Sequence, residues 1–175
     1  MRIARPALVA AALALLLWRE PARYHAEREI RAATEALRYV LTHSSELPDA
    51  AGALDRIGAV ARSAVPPLPG DARPLVLEGS ARLVRGEPHR ALELYRRANE
   101  DGERAETDLN LARALERLGR EEAARAAYTR AAWVSPALLR AMLPDAAEAA
   151  RIRVTALEHD LKAGRLRKPP PLPEE

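Results

Sequence analysis

Gly79, Gly86, Ala91, Tyr95 and Ala98 recur as Ala112, Gly119, Ala124, Tyr128 and Ala131, each 33 positions later. A chain that restates small and aromatic residues at a period of this size is built from stacked supersecondary units, none of which can bury its apolar face alone. The small residues let antiparallel helices approach closely, and Tyr95 and Tyr128 are expected to fill the space between one pair and the next. Gly86 and Gly119 supply a helix-ending conformation that residues with side chains resist. Composition agrees with this reading. Alanine is about a fifth of the chain and aromatics are 3%, whereas strands would draw on β-branched and aromatic residues. The fold class expected is all-α, with narrow spacing between helices.

The second copy reads Leu111-Ala112, Leu115, Gly119, then Ala124 to Tyr128, Ala131 and Pro136. It closely resembles the tetratricopeptide repeat, with its L-G-x2-Y, A-x3-F and closing proline. The first copy departs, since Glu78 and Arg82 stand where large apolar residues are usual and Asp101-Gly102 replaces the closing proline region. Ile57, Ala61, Ala64 and Pro69 lie about one period upstream of the first copy's second helix and form a marginal third half. The resemblance implies an α-α superhelix of antiparallel pairs whose ends are closed by flanking helices, because about three units are needed for stability.

The resemblance also implies a concave groove lined by the first helix of each pair. Val76, Ser80, Leu83 and Val84 would face it from one copy, and Leu109, Asn110, Arg113 and Arg117 from the next. Asn110 matches a position where the family commonly holds a peptide backbone, and its amide donates and accepts at once. Arg113 and Arg117 lie one turn apart and could meet a carboxylate bidentately, or pair with Glu106 and Glu116 as surface charges. The full carboxylate-clamp set is absent, so recognition of chaperone tails is not implied.

Arg2 and Arg5 precede an apolar run from Ala7 to Trp18 that is followed by Arg19, Glu20 and Pro21. This is the order of a signal-like leader. Its apolar run would cover only about 18 Å as a helix. No small-residue pair suited to cleavage follows it, which favours an uncleaved anchor of the inner membrane of a bacterium, N-terminus inside and the remainder in the periplasm. Beyond it, Pro21 fits a first helical position, and Ala26, Ile30, Ala33, Leu37 and Leu41 recur at helical spacing. Pro48-Asp49 opens a second helix carrying Leu54, Ile57, Ala61 and Ala64, stopped by the prolines before Gly70. A last helix is expected from Asp145, with Glu148 at capping-box spacing and Ala150, Val154, Leu157 and Leu161 on one stripe, ending at Gly164. The organisation expected is an anchor over 1–19, a helical pair over 20–70, two repeats over 71–136, capping helices over 137–164 and a disordered proline-rich tail over 165–175.

Lys and Arg number 28 against 25 Asp and Glu, a net charge of +3 with interleaved signs, which leaves no nucleic-acid footprint. Four scattered histidines and no cysteine give no metal-ligand pattern, and no phosphate loop, dinucleotide fingerprint or nucleophile elbow is present. Neither a cofactor, a small-molecule substrate nor catalysis is expected. The tail's Arg167 to Pro173 has P-x-x-P spacing that is as readily a spacer as a ligand. The function expected is that of a membrane-tethered adaptor binding a protein partner through the repeat groove and assisting assembly of an envelope complex. The alternative is an obligate structural subunit of a large membrane assembly.

Overall fold

The structure, a computed structural model, describes residues 4–100 and 102–166, with side chains from Glu20 onward. The expected anchor's side chains and the proline-rich stretch from Arg167 lie outside the described residues. Among those described, all regular structure is helical: α1 (Ala4–His43), α2 (Ala50–Ala64), α3 (Arg73–Val84), α4 (Pro88–Glu100), α5 (Ala105–Arg117), α6 (Glu121–Val134), a 3-10 helix (Pro136–Ala141) and α7 (Pro144–Lys162). α1 packs on α2, and α4, α5, α6 and α7 pack each on the next. Among the described residues no helix is long and apolar enough to cross a membrane. The chain divides into two compact units, residues 1–78 and 79–175, the division falling inside α3.

In the first unit α1 and α2 form a hairpin. Ala26, Ile30, Ala33, Leu37 and Val40 are the buried residues of α1, and Leu54, Ile57, Gly58, Ala61 and Ala64 those of α2. The α1 stripe alternates steps of four and three, which is the seam of two helices packed at a shallow angle. This spacing corrects the expected core: Val40 is 3% exposed, whereas Leu41 is 57% exposed. Pro21 is likewise not a helix start. It lies inside the continuous α1, where its ring removes one backbone hydrogen bond without ending the helix. α2 begins as expected, with Asp49 accepting a hydrogen bond from the Gly52 amide at 2.8 Å. The cap leaves no room at residue 52, since a Cβ there would come within 2.2 Å of Asp49 Oδ2. Glu78, anomalous as an acid at an apolar position, is buried, and Arg62 Nη1 donates to its Oε1 at 2.5 Å.

The second unit carries the internal repeat in its backbone. Val84 and Arg117 end the first helices of the two copies, and Pro88 and Glu121 begin the second, both 33 residues apart. The turns between them are closed by equivalent bonds. The Glu87 amide donates to Arg82 O at 2.9 Å, and the Arg120 amide to Leu115 O at 3.0 Å. Gly86 (φ 79°) and Gly119 (φ 71°) supply the left-handed residue each closure needs. α5 is the most enclosed element, packed on both α4 and α6, with Ala105, Thr107, Asp108, Leu109, Leu111, Ala112, Ala114 and Leu115 all buried. Each of the two tyrosines makes a contact within its own pair. Tyr95 packs its ring on Gly79, and Tyr128 donates to Glu116.

α7 starts one residue earlier than expected and without a capping box. Pro144 takes the first turn behind the extended Leu143, and Glu148 pairs with Arg151 rather than reaching back. Its inner stripe is Ala150, buried, with Val154, Leu157 and Leu161 half-buried, and Gly164 (φ 70°) ends it.

Candidate functional site

Four helices of the second unit contribute to a polar strip. The Ser80 and Tyr95 hydroxyls lie 3.2 Å apart and share a hydrogen bond. One pair further along, Arg113 Nη1 donates to Asn110 Oδ1 at 3.2 Å, while Arg113 Nη2 donates to the Ala141 carbonyl at 2.6 Å. Tyr128 OH donates to Glu116 Oε2 at 2.9 Å. The Arg113 guanidinium is close enough to both tyrosines to favour their ionised forms, but it does not prevail. Burial pushes the Tyr95 hydroxyl up to about 12, against the Ser80 hydrogen bond and the Arg113 charge. Tyr128 is raised by burial and, further, by the hydrogen bond and charge of Glu116. Both hydroxyls are therefore neutral donors across the physiological range.

Of the residues expected to line a groove, Ser80, Asn110 and Arg113 belong to this strip. Leu83 is half-buried further along α3, Val84 is exposed, and Val76, also half-buried, lies in the first unit. Leu109 is 5% exposed and belongs to the core beneath α5, so it has no side-chain surface to offer a ligand. Arg113 is not free to clamp a carboxylate, because both guanidinium ends are committed. Arg117 is exposed and has no hydrogen bond or ion pair among the described residues. The Glu116 expected as an arginine partner takes the Tyr128 hydroxyl instead.

Glu116 and Tyr128 also border a cleft of about 340 Å³ between the α5–α6 turn and α7. Ala124, Ala146, Ala149 and Ala150 form its apolar wall, and Glu121, Arg125, Asp145 and Arg153 stand at its rim. Alternating acids and arginines over an alanine floor suit a peptide or helix more than a small anionic ligand. Among the described residues no group of three metal-ligating side chains occurs. His43 stacks on Tyr39 with ring centroids 4.3 Å apart, and His25 pairs with Glu29 at 3.1 Å.

A second polar group escapes sequence reasoning. Asp108, 0% exposed, accepts a hydrogen bond from Asn99 Nδ2 at 2.8 Å. Its carboxyl is in hydrogen-bonding reach of Glu103, which in turn is held by the Arg130 guanidinium. Burial pushes the Asp108 carboxyl up to about 7, with Glu103 adding to the shift and Asn99 opposing it. The Arg130 hydrogen bond holds Glu103 below the usual carboxylate range. A signal was present: the residue 33 positions before Asp108 is Leu75, so the second copy places an acid where the first has an apolar side chain.

No known protein family, curated protein or solved structure matches this chain.

Proposed function

We propose that the chain is a tetratricopeptide-like adaptor, tethered to a bacterial inner membrane by residues 1–19 with its repeats in the periplasm, that binds a protein partner and assists assembly of an envelope complex. The observation that carries this reading is the repeated helix–turn–helix of the second unit, with helix ends 33 residues apart and both turns closed by the same bond. Units stacked in this way present extended faces of side chains from successive helices, a geometry suited to chains rather than to small substrates. The polar strip supports the same reading. Its half-buried donors and acceptors, Ser80, Asn110 and Arg113, suit peptide groups, and Arg113 already holds a backbone carbonyl. Arg117 adds an uncommitted positive charge on the same helix, favouring a partner segment with acidic residues.

Capture of partners from detergent-solubilised membranes by the wild-type protein and by Arg117→Glu tests the proposal. The charge reversal is expected to weaken capture of a specific partner while leaving helicity and melting unchanged, since an exposed charge contributes little to stability. Equal recovery of the same proteins by both forms removes the strip from consideration.

One observation favours the alternative of an obligate structural subunit. The first unit has an apolar groove of about 330 Å³ lined by Ala32, Ala33, Ala36, Ala53, Ile57 and Val60. A permanent neighbour would cover such a surface, and a chain relying on one would aggregate when purified alone in detergent.

A further inference from the structure

We propose that Asp108 and Glu103 share a proton that latches the α4–α5 turn onto α5 and α6, and that the latch tightens as pH falls from neutral toward 5. The cluster joins four parts of the chain: Asn99 on α4, Glu103 in the turn, Asp108 on α5 and Arg130 on α6. Asp108 Oδ2 and Asn99 Oδ1 are both buried without a hydrogen-bond partner. Such atoms are costly to leave bare, and two facing carboxylates cannot satisfy each other without a proton between them.

Among the described residues, the charges that face Asp108 are Glu103 from the turn and Arg130 from α6; Asn99 from α4 is neutral. With both acids ionised, two carboxylates stand beside the Arg130 guanidinium, one of them fully enclosed. A proton on Asp108 leaves a neutral Glu103–Arg130 pair and turns the Asp108 hydroxyl into the missing donor for Glu103. Asp108 rather than Glu103 takes the proton. Glu103 is partly solvated and bound directly by Arg130, whereas Asp108 is enclosed, and the Asn99 hydrogen bond and the Arg130 charge together do not offset its burial. Deprotonation puts a charge in the least solvated part of α5. The adjoining turn, exposed at Gly102, Glu103 and Arg104, is the part able to move and admit water to it.

The sign follows from proton linkage. A carboxyl that binds its proton more tightly when the turn is closed stabilises the closed form fully below its open-state value, near 3.9, and the contribution is lost as pH rises to about 7. Glu103 acts in the opposite sense. Its contribution is present above the ordinary carboxylate range and is lost only at more acid pH, so between about pH 5 and pH 7 the Asp108 proton governs the turn.

Carbon-13 NMR of the side-chain carboxyls in the full-length protein in detergent tests the titration directly, and amide hydrogen exchange reads the latch. Asp108 is expected to titrate near neutrality. Protection of the Asp108 amide, which donates to Arg104 O at 3.0 Å, is expected to fall by up to about a hundredfold between pH 5 and pH 7, after correction for intrinsic exchange. Asp108→Asn, which keeps a neutral side chain of the same shape, is expected to abolish that dependence and to stay protected at pH 7.5. An Asp108 carboxyl that titrates below pH 5 overturns the proposal, and so does protection in the wild type that is flat or rises toward pH 7. Where Asp108→Asn does not fold, the wild-type titration and exchange decide alone. The measurement needs no partner, so its outcome is separate from that of the adaptor reading.

Discussion

The ring of Tyr95 lies so close to Gly79 that a Cβ on residue 79 would stand 2.6 Å from Tyr95 Cε1. Ala112, the residue 33 positions later, carries the side chain that Gly79 lacks, and it is fully buried in the same repeat position. The two copies therefore share a register without sharing a packing arrangement. In the first, the aromatic ring occupies the volume that a methyl group fills in the second.

Gly79→Ala is expected to destabilise the protein by about 1–3 kcal/mol, because the enclosed Tyr95 ring has to shift to admit the methyl group. Ala112→Gly, which removes a methyl from α5, is expected to cost about 1 kcal/mol through backbone entropy. Urea denaturation of the two variants checks both. A Gly79→Ala protein as stable as the wild type would show that Tyr95 can move freely.

Asp49→Ala removes the only side chain capping α2 and is expected to cost about 0.5–2 kcal/mol. Gly52→Ala is expected to displace the same cap from the other side, so the double variant should lose little more than the larger single loss. Thermal melting of the three variants reads this non-additivity.

Tyr95 provides a pH prediction at the alkaline end. Its hydroxyl is raised from about 10 to about 12 by burial, so the stability it confers is present below pH 10 and lost as pH rises toward 12. Ultraviolet titration of the phenolate should reveal a component near 12 that vanishes in Tyr95→Phe. Tyr128 shifts in the same direction, so the wild-type melting temperature should still decline over this range in that variant, though less steeply.

Arg113→Ala is expected to loosen the 3-10 helix, since it deletes the bond from α5 to the Ala141 carbonyl. A charge-assisted bond of this kind contributes about 1.5–3 kcal/mol when well formed. Limited proteolysis should show faster cleavage between residues 136 and 144, while α5 and α6 stay resistant. Arg113→Lys should rescue in part, because an ammonium can reach one acceptor but not span two.

The helices were legible wherever local chemistry determined them. Asp49 as a cap, the left-handed glycines at 86, 119 and 164, and the buried stripe of α2 all follow from residues near in sequence. The failures are of two kinds. Leu41 rather than Val40 continues the apolar pattern in the sequence because a single helix drifts through 3.6 residues per turn, and only packing against a partner selects the 3.5 spacing. Pro21 read as a beginning because its ring suits a first turn, and nothing local reports that a helix already precedes it. At the site, the resemblance to the repeat puts Ser80, Asn110 and Arg113 on one side of their helices. The Arg113–Ala141 bond joins residues 28 apart and depends on how the 3-10 helix turns back, which no local pattern encodes. Asp108 was hidden differently: as an acid in a helix's first turn it looks like a solvated partner for the dipole, and only three-dimensional packing encloses it.

The bond from Arg113 to the Ala141 carbonyl means that the strip is already occupied by a stretch of the protein's own backbone. A partner chain that uses Arg113 enters by exchange, one carbonyl displacing another. Its apparent dissociation constant is then the intrinsic one divided by the fraction of molecules in which residues 141–143 have let go; if about one in a hundred has, binding weakens about a hundredfold. Recognition at this strip would be graded by how readily the resident segment yields, and substitutions near Pro144, far from any partner, would alter affinity without touching a contact.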